Sequence, residues 1–206
     1  MVLRTSALLV TLLAISIGVV AAAAPAAPRT QAGSATSTRW TLDFKPGALR
    51  LFVDPISRKP YWYMDYRVIN RTGQDRMWAP QFELFTDDGS VKASGKEVPT
   101  RVVKALKEVL GNPLIEDQNQ IIGELLQGVE NAKDGLVIWP AKNLQVTEIS
   151  LFVRGLSGET TKVLNPQTGE EVVLWKTLHR VYMVPGDPLP RGGQPLPVVK
   201  DDWVMR

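Results

Sequence analysis

From Trp40 onward, large apolar side chains recur at every second position. Trp40, Leu42 and Phe44 alternate with Thr41 and Asp43, and after a Pro46-Gly47 turn Leu49, Leu51 and Val53 alternate with Arg50 and Asp54. Period 2 marks a strand buried on one face. The strongest example is YWYMDYRVIN behind Pro60: Trp62, Met64, Tyr66 and Val68 share one face. Asp65, Arg67 and the outer tyrosines Tyr61 and Tyr63 share the other. Asn70-Arg71-Thr72-Gly73 closes that strand with turn residues. Residues 80–85 (PQFELF) form the next strand, ended by Asp87-Asp88-Gly89, a hairpin signal because Asp-Gly tolerates positive φ. Leu136-Val137-Ile138-Trp139 is stopped by Pro140, and Thr147, Ile149, Leu151 and Val153 alternate up to a Gly155–Gly158 turn. Residues 171–183 (EVVLWKTLHRVYM) make a long final strand rich in β-branched and aromatic side chains. Seven or eight strands at this spacing predict a mainly β protein, an antiparallel Ig-like β-sandwich spanning residues 39–184.

Between residues 98 and 129 the period lengthens. Val102, Val103, Leu106, Val109 and Leu110 form a helical stripe, and Ile121, Ile122, Leu125, Leu126 and Val129 form a second one. Gly111-Asn112-Pro113 separates them, and Pro99 stands where a helix can begin. The pattern predicts an inserted two-helix hairpin. Its stripes are expected to cover an open end or edge of the sandwich. The alternative is an exposed groove between the helices that captures a partner.

The two ends read differently. Arg4, an uncharged apolar run over residues 7–20 and Ala21-Ala22-Ala23-Ala24 have the form of a secretory signal peptide. Pro25 disfavours cleavage after Ala24, so residues 1–23 are the expected signal. Residues 5–24 are uncharged and long enough for a membrane anchor, but no basic stop signal follows them. Residues 24–38 hold no large apolar side chain and read as a flexible leader. Residues 185–197 contain five prolines and open a Pro-rich C-terminal tail to residue 206, expected to be extended. Trp203-Val204-Met205 at its end suggests that the tail packs back.

Composition narrows the chemistry. The 206 residues include no Cys and a single His. Disulfide scaffolds, thiolate metal sites, cysteine nucleophiles, Cys-anchored lipidation and multi-His metal centres are thereby excluded. The 24 Lys+Arg against 21 Asp+Glu leave a net charge of +3, +2 without Arg4. That gives no electrostatic reason to bind nucleic acid. His179 lies inside the last strand near Lys176 and Arg180, without a local carboxylate, and reads as structural. Gly155-Leu156-Ser157-Gly158 lacks the spacing of a nucleophile elbow and of a phosphate loop. The adjacent pairs Asp87-Asp88, Glu116-Asp117, Glu170-Glu171 and Asp201-Asp202 sit at turns or element ends, where solvation or capping explains them. Asp87 and Asp88 would be the first ligands of a loop calcium, though no D-x-D-x-D spacing accompanies them. Six tryptophans are the most suggestive feature. Trp40 and Trp62 fall on buried faces, whereas Tyr61, Tyr63 and Trp78 are the candidate ligand-binding residues, placed to stack on a glycan or a peptide.

YWYMDYRVINRTG, APQFELFTDDG, LLQGVENAKDGLVIWP and VTEISLFVRGLSG together resemble the small Ig-like sandwich domains of unknown function found in exported bacterial proteins and lipoproteins. The resemblance spans roughly residues 60–160. It implies an extracytoplasmic Ig-like fold and brings no catalytic residues with it. The expectation is therefore an exported, periplasmic or extracellular, non-enzymatic binding or accessory protein of the cell envelope. It is expected to use a protein partner, no cofactor, no metal and no membrane anchor once the signal is removed. The alternative is a carbohydrate-binding module or weak glycan-active enzyme that uses exposed aromatics.

Overall fold

The computed structural model describes residues 39–206, so the expected signal peptide and leader lie outside the described residues. The described chain is mainly β, with thirteen strands and one α-helix. In order these are β1 (Asp43–Pro46), β2 (Arg50–Val53), β3 (Pro60–Asn70), β4 (Arg76–Trp78), β5 (Gln81–Thr86), β6 (Val91–Ala93), α1 (Thr100–Leu110), β7 (Glu116–Asp117), β8 (Gly123–Leu125), β9 (Gly128–Pro140), β10 (Glu148–Arg154), β11 (Thr160–Leu164), β12 (Glu171–Met183) and β13 (Val198–Met205). One sheet runs β1-β3-β9-β7, with β2 following β1 along the same edge of β3. The other runs β11-β12-β10-β5-β6, with β13 on the free edge of β12. β4 and β8 form a separate two-stranded sheet.

The period-2 pattern decides which faces meet. Trp62, Met64, Tyr66 and Val68 of β3 and Val137 and Trp139 of β9 face one main core. Phe82 and Leu84 of β5, Ile149, Leu151 and Val153 of β10, and Leu178 and Tyr182 of β12 meet them there. Two sheets closing on one apolar layer is the arrangement of a β-sandwich.

The two-helix insert is corrected to a single helix. α1 uses its stripe as expected: Val102 and Leu106 are fully buried, each contributing about 2 kcal/mol from burial. The second stripe does not continue as helix. Gly123 at φ 151° and Gly128 at φ 102° hold backbone conformations that glycine favours, and a helix through both would cost about 1 kcal/mol each. The chain instead pairs β8 with β4 and runs β9 along β3 in a register reaching from Gly128 to Pro140. Ile121 and Leu125 still reach the core, while Ile122, Leu126 and Val129 are exposed. With no second helix, the alternative, a groove between two helices, does not form.

α1 covers no open end or edge. It lies on the outer face of the first sheet, where Val102, Leu106 and Ile115 bury Tyr61, Tyr63, Leu136 and Ile138 in a second, smaller core. The Pro-rich segment lies against its own domain. Leu196 is buried in the main core, and residues 198–205 leave the prolines behind to form β13. The folded unit therefore runs to the end of β13, past the expected limit at residue 184. Among the described residues, no helix is long and apolar enough to cross a membrane.

Candidate functional site

Tyr61, Tyr63 and Trp78, expected as an exposed aromatic platform, lie in the interior at 3%, 5% and 1% exposure. The tyrosines occupy the face opposite Trp62 and Met64, as their alternation requires, but α1 covers that face. Trp78 is in β4, where its indole N–H donates to the Gly155 carbonyl at 3.2 Å. Its ring stands edge-on to Tyr66, with centroids 6.0 Å apart. None of the three offers an open ring face for stacking.

The exposed tryptophans are Trp175 and Trp203, at 36% and 40%. The Arg154 guanidinium lies 4.6 Å above the ring of Trp175, and the Lys176 ammonium 5.5 Å from that of Trp203. Both belong to a region where apolar side chains concentrate. Beyond Trp175, β11 and β12 separate from the sheet as a two-stranded ribbon, with Val163 opposite Val172 and Leu164 opposite Glu171. Leu164 is 71% exposed, and Val163 and Val173 are also open to solvent. β13 adds Val198, Val199 and Met205 to the exposed apolar residues of this region. Ten of the nineteen large exposed hydrophobic residues in the described chain lie on β11, β12 and β13. On the ribbon the register sets Leu164, Val173 and Trp175 on one face, and clusters of this kind mark contact surfaces more often than scattered single residues do.

The outer face of the second sheet brings together side chains that sequence spacing separates. His179 accepts or donates on both ring nitrogens: Nδ1 is 3.1 Å from Asp202 Oδ1, and Nε2 is 3.2 Å from Ser150 Oγ. The network is satisfied if Nδ1–H donates to the carboxylate and Nε2 accepts the serine hydroxyl. β13 pairs Asp202 directly with His179, while Ser150 comes from β10 on the other side. The Phe152 ring stacks on the imidazole at 4.4 Å and 3°. Arg206 lies over Phe152 and Phe85, and its guanidinium reaches Glu83 at 2.8 Å. Lys200 stands 3.0 Å from the other Asp202 oxygen and, ahead of His179, holds that carboxyl below its ordinary pKa.

This is the connectivity of a Ser-His-Asp relay, and sequence reading missed it. Acyl transfer needs one element more, a set of donors aimed at the developing oxyanion. β10 is hydrogen-bonded to β5 on one side and β12 on the other from Ile149 to Val153, so the amides around Ser150 are committed to the sheet. The relay can polarise a hydroxyl, but the flat face around it supplies no backbone oxyanion site.

The remaining candidates are occupied. Ser157 is buried and its hydroxyl donates to the Trp40 carbonyl at 2.9 Å, holding the chain before β1 against the turn after β10. Asp88 takes Thr86, Asn143 and the Ser90 amide, while Asp87 takes the amide and hydroxyl of Thr147. These bonds, with the side-chain partners first, hold both carboxyls below their ordinary pKa. Asp201 and Asp202 project to opposite sides, toward Arg180 and His179. Glu171 pairs with Lys162 and Glu116 with Lys133. No adjacent pair brings two free carboxylates together.

Comparison of the chain with protein-family models, with curated proteins and with solved structures finds no match.

Proposed function

We propose that this chain is an exported, Ig-like accessory protein of the cell envelope that holds a protein partner by surface contact rather than by catalysis. The observation that carries the reading is the apolar ribbon of β11 and β12 together with β13. An isolated two-stranded ribbon is marginal in water, and this one carries Val163, Leu164 and Val173 outward, beyond the sheet that anchors it. A partner laid along the face that carries Leu164, Val173 and Trp175 would cover those side chains; Val163 lies with Val172 on the opposite face. The signal-like segment at residues 1–23 supports export.

The test is crosslinking of the tagged protein in its native envelope, followed by identification of what is retained. The proposal expects a defined protein partner, weak retention on insoluble polysaccharide, and unchanged capture by Ser150→Ala. It also expects no covalent label at Ser150 from a fluorophosphonate. Labelling of that serine, abolished by His179→Ala, would assign the relay a catalytic role and end the contact-only reading. Retention on polysaccharide that is lost in Trp175→Ala would favour a glycan module instead.

A further inference from the structure

A cleft of about 570 Å³ opens at the start of α1. Pro60, Pro99, Pro140 and Leu144 supply apolar lining, with the buried Tyr61 beneath, and Lys59, Arg101 and Lys142 stand around it. A second hollow adjoins it and shares Glu97, Pro140 and Lys142, adding Lys92 and Lys96. Five cations and one carboxylate therefore line the pair, in a chain whose net charge is only +3.

Three of the five cations are not consumed internally. Among the described residues, Lys59, Lys92 and Lys96 meet no carboxylate within ion-pair distance; Arg101 reaches the buried Asp54 at 2.7 Å. Lys142 is held by Glu97 at 2.6 Å, and both side chains are about two-thirds exposed, so water screens the pair and a ligand can compete for it. Glu97 occupies a left-handed backbone conformation at φ 60°, uncommon for a residue with a side chain. It sits where the two hollows join, and its carboxylate occupies the position an incoming acidic group would take.

We infer that the joined hollows form a groove for an extended acidic peptide of a partner protein, with one of its carboxylates displacing Glu97 from Lys142. Two adjoining hollows that share Glu97, Pro140 and Lys142, with cations repeated along both, fit a chain rather than a compact ion. The proline and leucine lining suits alternating apolar residues, and it lacks the open aromatic platform on which a sugar would stack. The inference stands apart from the ribbon surface, since Leu164 and Trp175 line neither hollow.

Fluorescence anisotropy with the peptides (Glu-Pro)4 and (Gln-Pro)4 and with polygalacturonate as competitor tests it on the purified protein. The acidic peptide should bind at least about tenfold more tightly than the neutral one and weaken as salt rises. Lys59→Glu with Lys142→Glu should lower its affinity about tenfold, because like charge replaces attraction on an exposed rim. Glu97→Gln should raise it about threefold by removing the internal competitor. Leu164→Asp should leave it unchanged, which separates this site from the ribbon. The variants alter exposed side chains, and an unchanged thermal unfolding midpoint verifies their folding. No binding of (Glu-Pro)4, equal binding of both peptides, indifference to charge reversal, or displacement by polygalacturonate at lower concentration than by unlabelled (Glu-Pro)4 would each overturn the inference.

Discussion

Two residues carry more of the structure than their size suggests. Gly135 of β9 sits opposite Tyr66 of β3, and the tyrosine ring lies where a side chain on residue 135 would begin: a Cβ there would fall 2.1 Å from the ring Cζ. Tyr66 in turn packs against Phe44, Trp78 and Phe82 and cannot withdraw. Gly135→Ala should therefore destabilise the fold by about 1–3 kcal/mol, read as a lower urea midpoint with an unchanged slope. Asp54 is buried and receives the Ser57 hydroxyl, the Arg101 guanidinium and the amides of Ile56 and Ser57. Those bonds, Ser57 foremost and Arg101 next, hold its carboxyl far below the usual range. The folded state thus favours the carboxylate. Its contribution is full above the unfolded value of about 3.9 and falls away as the pH drops below it. Asp54→Asn should lower the urea midpoint at pH 7 and narrow the gap between the midpoints at pH 7 and pH 3. An unchanged gap would show that Asp54 contributes nothing to acid sensitivity.

At the scale of the element, strands whose partners repeat the same alternation were legible. β3, β5, β10 and β12 follow from period 2 because each has one face in the main core. The stripe at residues 121–129 misleads because the i, i+4 spacing of Ile121 and Leu125 suits a turn entering a strand as well as a helix. The ladder between β3 and β9 then outweighs local periodicity. Burial of Tyr61 and Tyr63 was hidden for a similar reason: nothing near them in the chain indicates that α1 returns forty residues later to cover their face. The relay was the least legible feature. His179 acquires its carboxylate only when the residues behind the prolines return as β13, and Asp202 falls opposite it by register alone. Because α1 is a lid over tyrosines rather than a docking groove, Leu106→Ala should cost about 2–5 kcal/mol of stability. Loss of partner capture without loss of stability in that variant would contradict this role for the helix.

The whole molecule places its parts on separate surfaces. The first sheet spends both faces on packing, one against the second sheet and one under α1. The second sheet buries one face and presents the other with the Ser150–His179–Asp202 relay and the Phe152–Arg206 stack. Its ribbon and edge strand carry half of the large exposed hydrophobics of the described chain. Nothing in the main core requires that arrangement, since Val163, Leu164 and Val173 contribute no side chain to either core. A contact role is the simplest physical reason to keep them outward. The most direct measurement is quantitative capture by a Leu164→Asp/Val173→Thr variant and by the unaltered protein from the same crosslinked envelope. The account predicts that the variant loses the partner by about tenfold or more, as expected for a central apolar anchor, while unfolding at the same temperature. Undiminished capture by a folded variant would contradict it.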